Sequence, residues 1–141
     1  MSTATVNNFH SQPRSRGLSI LVIDDEAGIQ TLLQQTLAGE GYYVRMVGTG
    51  RHALNLIRDE GFDVVISDIS LPDADGLELA RQISMEFPHV SVIAMSGFMA
   101  AILPARLHRA RIAATLQKPF TARELLRSLS ELPQRVLAAA D

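Results

Sequence analysis

The chain has 141 residues, 47% of them apolar, and a formal net charge of -2. That length and composition suit one domain with a sizeable core and argue against disorder, while the near-neutral balance gives no reason to expect nucleic acid or an anionic membrane as a partner. The absence of cysteine excludes disulfides, thiolate metal sites and cysteine nucleophiles.

Residues 1–17 are rich in Ser, Thr and Asn and lack an apolar signal core, so they read as a flexible arm. No stretch approaches the roughly 20 apolar residues needed to cross a bilayer, and a soluble cytoplasmic protein is expected. Leu18 to Ile23 is the first strand candidate and ends in Asp24-Asp25-Glu26. Ile29, Leu32, Leu33 and Leu37 then fall at helical spacing, with Gly39 and Gly41 as the stop. Tyr42 to Val47 reads as a more exposed strand. Thr49 is placed to cap a helix running to about Asp59.

The third strand, Phe62 to Ser67, is an apolar, β-branched run ending at Asp68, as expected of a strand buried on both faces. A loop containing Ser70, Leu71, Pro72 and Asp73 follows. Asp75-x-x-Glu78 resembles a capping box for the next helix. Val90 to Met95 gives a fourth strand ending at Ser96-Gly97. A long loop to Leu103 then leads to a short helix begun by Pro104 and ending near Ala110. Ala113 to Gln117 is a weak fifth strand, ending at Lys118-Pro119-Phe120. Thr121-x-x-Glu124 is a second capping box, opening a helix that Pro133 ends. Of the 13 basic residues only Lys118 is lysine.

Five alternations of strand and helix imply a single doubly wound parallel sheet of order 2-1-3-4-5, α/β in class, with its chemistry at the carboxyl ends of the strands. Those ends carry Asp24 and Asp25, Asp68, Ser96 and Lys118. The edge strand, ending at Gly48, contributes nothing. Each feature alone is ordinary: an acidic pair caps helices, Lys-Pro makes turns, and Ser-Gly makes loops. Together at successive strand ends they make a site. Converging carboxylates repel unless a cation joins them, and Mg²⁺ prefers such oxygen ligands. Asp68 is then a nucleophile toward a phosphoryl group, with Lys118 as a mobile charge and Ser96 as a hydroxyl donor.

Asp24-Asp25, Asp68-x-x-Leu71-Pro72-x-x-Asp75-Gly76, Ser96-Gly97 and Lys118-Pro119-Phe120 together resemble the receiver domain of bacterial two-component response regulators, over residues 18–132. The resemblance implies a flavodoxin-like, chemotaxis-regulator-like fold with five helices. It implies phosphorylation of Asp68 by a sensor histidine kinase or histidine phosphotransfer protein. Mg²⁺ would be held by Asp25, Asp68 and the Ser70 carbonyl, with Asp24 acting through water. Lys118 would pair with the phosphoryl group or, before transfer, with Asp68, and the Lys118-Pro119 bond would be cis. The chain would be no enzyme beyond its own phosphorylation and dephosphorylation. Its output would be a protein contact through the face of the fourth helix, fifth strand and fifth helix, with no direct nucleic-acid or membrane binding; self-association into a homodimer is left open. Residues 133–141 form a tail, and the chain is expected to stand alone or to be the receiver segment of a longer transcriptional regulator.

Two positions depart from the family pattern. Thr115 stands where an aromatic switch residue is usual, and Arg111 where a glycine is frequent. Ser70 and Phe98 occupy positions that tune phosphoryl lifetime in the family. The basic run Arg106, His108, Arg109 and Arg111 reads as a solvated helix face, and His52 and His89 as surface residues. A Mg²⁺-dependent aspartyl-phosphate phosphohydrolase is the main competitor. It would carry an acid where this chain has Ser70. A flavin or nucleotide site would need a phosphate cradle after the first strand, where three acids stand instead.

Overall fold

A computed structural model describes residues 17–133 and Val136. Apart from Gly17, Pro133 and Val136, the expected arm and tail lie outside the described residues. Five strands pair in parallel in the order β2-β1-β3-β4-β5: β1 (Ser19–Ile23), β2 (Tyr43–Val47), β3 (Val64–Asp68), β4 (Ser91–Ser96) and β5 (Ile112–Gln117). Between and after them run α1 (Ala27–Gly39), α2 (Gly50–Glu60), α3 (Gly76–Glu86), α4 (Pro104–Arg109) and α5 (Ala122–Ser130). The expected topology is the observed one.

Side chains alternate across each strand, and the two faces bury separate cores. Ile20, Val22, Val64, Ile66, Ile93 and Met95 pack with Leu33, Leu37, Leu125 and Leu129 from α1 and α5. Leu21, Ile23, Val65 and Val92 face Ala53, Ile57, Leu79 and Ile83 from α2 and α3. Each fully buried Leu or Ile contributes about 1.5–3 kcal/mol. With both faces covered, β1, β3 and β4 are buried throughout, which explains their uninterrupted apolar runs. The edge strand β2 is half-buried, as its Tyr-Val-Arg-Met pattern suggested.

Local chemistry sets the helix ends. Thr49 accepts from His52 N at 3.2 Å to start α2. Thr121 and Glu124 form a reciprocal capping box on α5. At α3 the expected box does not form and Asp75 is a simple cap. Asp75 accepts from Leu77 N at 2.9 Å, while Glu78 turns to Arg81 instead of reaching back to the helix start. Pro104 occupies the first turn of α4, and Leu103 before it is extended, as the steric clash with proline requires. A single 3-10 turn, Met99–Ala101, interrupts the loop before α4.

Candidate phosphoacceptor site

Asp24, Asp68 and Lys118 meet at the carboxyl end of the sheet. Asp68 is the last residue of β3 and continues the face of Val64 and Ile66. Asp24 and Lys118 directly follow β1 and β5. Lys118 Nζ donates to Asp24 Oδ2 at 2.7 Å and to Asp68 Oδ2 at 2.8 Å, and reaches Glu26 Oε1 at 3.4 Å. The bond from Lys118 to Asp68 follows the resemblance; the equally short bond to Asp24 was not anticipated. The Lys118-Pro119 peptide is cis.

Asp24 is fully buried. Its Oδ1 accepts from Glu26 N at 2.8 Å, its carbonyl accepts from Gln30 Nε2 at 2.6 Å, and its own N–H donates to Val47 O at 3.0 Å. The last bond corrects the expectation that the edge strand contributes nothing: β2 ends in the carbonyl that fixes the Asp24 backbone. Burial raises the Asp24 carboxyl above its ordinary value, and the bonds from Lys118 and Glu26 only partly offset it. For Lys118, burial pulls the other way but is outweighed by the hydrogen bonds to Asp24 and Asp68, so its proton is held more tightly than on an ordinary lysine. An opposite charge about 4 Å away is worth roughly 4 kcal/mol at an effective dielectric near 20. Desolvation costs several kcal/mol per buried ion. The cluster therefore adds little net stability, and its value is chemical.

Asp68 Oδ1 accepts from Ser70 N at 2.9 Å. Ile69 N donates to Met95 O at 3.0 Å, tying the Asp68 tip to β4. The loop after Asp68 closes on itself: Ser70 bridges Asp75, and Gly76 N donates to Ile69 O at 2.8 Å. Gly76 has to be glycine. A Cβ there would stand 2.3 Å from Asp68 O and 2.4 Å from Ile69 Cα. Ser96 is buried, one residue beyond the β4 partner of Asp68. Its Oγ accepts from Phe98 N at 2.9 Å, and its carbonyl accepts from Lys118 N at 2.8 Å. Ser70 and Phe98 are exposed, Phe98 to 80%.

Asp25 is exposed, and among the described residues its carboxylate has no hydrogen-bond or ion-pair partner. No three acidic or histidine side chains among the described residues stand together as a ready-made cation cage, and Lys118 takes one carboxylate oxygen each of Asp24 and Asp68. The donor set nonetheless fits a hard cation. It consists of carboxylate and carbonyl oxygens, and the unpaired Asp25 carboxylate lies beside it in sequence.

Thr115 lies exposed on β5, opposite Ala94 of β4. Arg111 adopts φ 59°, the left-handed conformation that suits the glycine frequent in the family. His52, His89 and the run from Arg106 to Arg111, other than buried Ala110 and half-buried Leu107, are exposed. Two contributors were missed in the sequence. Asp73 accepts from Gly50 N and Arg51 N at 2.9 and 3.1 Å, capping α2 from the Asp68 loop. Gln117 bonds the loop after Ser96. Neither lies in a local pattern with its partners.

The response regulator receiver domain model matches residues 20–130. The chain is 36% identical over 130 residues to the DNA-binding transcriptional regulator NtrC of Bradyrhizobium sp. (strain RP501 Parasponia), covering 87% of this chain but 26% of that relative. It is 30% identical to the response regulator receiver protein CpdR of Brucella abortus (strain 2308), covering 80% of this chain and 94% of that one. Among solved structures, the signal receiver domain of an HD domain-containing protein from Pseudomonas fluorescens Pf-5 superposes with a TM-score of 0.79 at 29% identity. That match covers 87% of this chain and 99% of that one. With acidic, hydroxyl and lysine tips at the carboxyl end of one sheet and the family model spanning nearly every described element, the chain belongs to the response regulator receiver domains.

Proposed function

We propose that Asp68 is the phosphoacceptor, serving a histidine kinase or histidine phosphotransfer protein. Receiver domains are signalling phosphoacceptors of two-component systems, and they typically bind Mg²⁺ where they are phosphorylated. The observation that carries the assignment is the Lys118 ammonium, 2.8 Å from Asp68 Oδ2 and shared with buried Asp24.

An oxygen of Asp68 bonds to phosphorus as the donor's P–N bond breaks and its electron pair stays on nitrogen. Transfer of this kind has a loose transition state with charge spread over the equatorial oxygens, so positioning and charge stabilisation do most of the work. The Ser70 N–H and the ladder to β4 hold Asp68 in place. Lys118, charged throughout the neutral range, transfers a bond from Asp68 to a phosphoryl oxygen. Ser96 already accepts at Oγ from Phe98 N, so its own hydrogen is left to donate to another. Asp24, Asp25, Asp68 and the Ser70 carbonyl would hold Mg²⁺, whose chemistry here is neutralisation of phosphoryl charge. Water later attacks phosphorus, the bond to Asp68 breaks, and the carboxylate and inorganic phosphate are restored.

Output runs through the face of α4, β5 and α5 to a protein partner in the cytoplasm. Among the described residues no helix is long and apolar enough to cross a membrane. Thr115 has no ring to swing between buried and exposed states, so that face is read differently from that of relatives with an aromatic residue there. The test of the assignment is incubation with acetyl phosphate and Mg²⁺ followed by intact mass. One phosphoryl group should be gained by the protein and none by Asp68→Asn; equal labelling of the two would refute the assignment.

A further inference from the structure

We infer that Gln117 is a positioning residue that orients Ser96, on the same face of β5 where Thr115 leaves the aromatic position vacant. The inference rests on the phosphoacceptor reading of Asp68. Residues 115 and 117 share a strand face because side chains alternate. Among the described residues the Thr115 side chain makes no hydrogen bond. Gln117, two residues on, makes three. Its Nε2 donates to Gly97 O at 2.7 Å and to Lys118 O at 2.9 Å, and its Oε1 accepts from Met99 N at 3.0 Å.

The orientation of the amide is chemically determined, since two carbonyls face its nitrogen and one N–H faces its oxygen. Both amide hydrogens are used. Ordering an exposed glutamine costs rotamer entropy, so it persists only where several bonds reward it.

What the amide holds bears on the site. The peptide unit between Gly97 and Phe98 is bonded at both ends: its C=O accepts from Gln117, and its N–H donates to Ser96 Oγ. Fixing that plane fixes the hydroxyl oxygen of Ser96 and with it the directions left for its hydrogen. The same amide bonds the carbonyl of Lys118. One side chain thus ties together the backbones that carry the hydroxyl and the ammonium, using hydrogen bonds in place of a moving ring.

Beryllofluoride with saturating Mg²⁺ is the probe, titrated against the whole chain by NMR. Gln117→Leu removes the three bonds at similar size and should weaken binding about tenfold, the effect of losing one to two net hydrogen bonds. Ser96→Ala should weaken it comparably. The double variant should bind no worse than Ser96→Ala alone, because Gln117 acts through Ser96. A merely structural role would leave the two effects additive, and additivity overturns the inference, as does a Gln117→Leu protein that binds like the wild type. Gln117→Glu keeps the shape and the acceptor for Met99 N but loses both donors, so it too should weaken binding, and it stands in if Gln117→Leu does not fold. Failure of the unaltered protein to bind the probe, or unchanged binding in Asp68→Asn, would count against the Asp68 reading, not Gln117 alone.

Discussion

Asp73 closes the N-terminus of a helix that begins 23 residues before it, with its two carboxylate oxygens on Gly50 N and Arg51 N. The loop that follows Asp68 is thereby tied to α2 and not only to its own strand. These two N–H groups hold the Asp73 carboxyl below its ordinary value of 3.8. A depressed carboxyl pKa stabilises the fold above the unfolded value and loses that contribution as pH falls through the folded one. Amide exchange at Gly50 and Arg51, corrected for its intrinsic pH dependence, is therefore expected to accelerate as pH drops below 3.8. In Asp73→Ala it should be fast at every pH. Protection unchanged in that variant would show that the cap is idle.

Lys118→Met keeps the length and removes the charge. Asp24 would then be a buried carboxylate without its cation, a loss of about 3 kcal/mol by the usual cost of breaking a buried pair. Denaturant unfolding measures it. Labelling by acetyl phosphate should fall as well. A variant that labels normally would remove Lys118 from the proposed chemistry.

Gly76→Ala forces a methyl group into the Asp68 carbonyl and the Ile69 backbone. Overpacking of this kind costs about 1–3 kcal/mol, and here it displaces the phosphoacceptor. Lowered Tm together with slower labelling is expected; a drop in Tm alone would mean that the loop yields without moving Asp68.

Arg111→Gly should stabilise the protein. A non-glycine residue in the left-handed region costs roughly 1–2 kcal/mol, and the extra freedom that glycine gives the unfolded chain returns part of that. A net gain of about 0.5–1 kcal/mol in thermal or denaturant unfolding is the outcome to look for. A loss would place an unseen contact on the Arg111 side chain.

Much of this architecture is legible in the sequence, and the physical reason is locality. The β3 run from Val64 to Ile66 announces a doubly buried strand, and Thr121 with Glu124 announces a helix start, because each pattern is complete within a few residues. The site tips were legible because Asp24, Asp68, Ser96 and Lys118 each stand at the end of a strand in a chain-order alternation of strand and helix. Asp75 with Glu78 has the same spacing as the α5 box yet yields only a simple cap, with Asp75 on Leu77 N and Glu78 paired with Arg81. Asp73 and Gln117 escaped notice for the opposite reason. Their partners at Gly50 and Met99 lie 23 and 18 residues away, and only the folded sheet brings them within reach.

An ammonium group has three hydrogens, and Lys118 already directs all of them, to Asp24, Asp68 and, at longer range, Glu26. Whatever negative group arrives at this pocket enters by substitution. The bond to Asp68 is the one passed to a phosphoryl oxygen, while the bond to fully buried Asp24 and the longer contact to exposed Glu26 are left to hold the ammonium in place. An occupied pocket therefore keeps its ammonium tethered to the end of β1 and the head of α1.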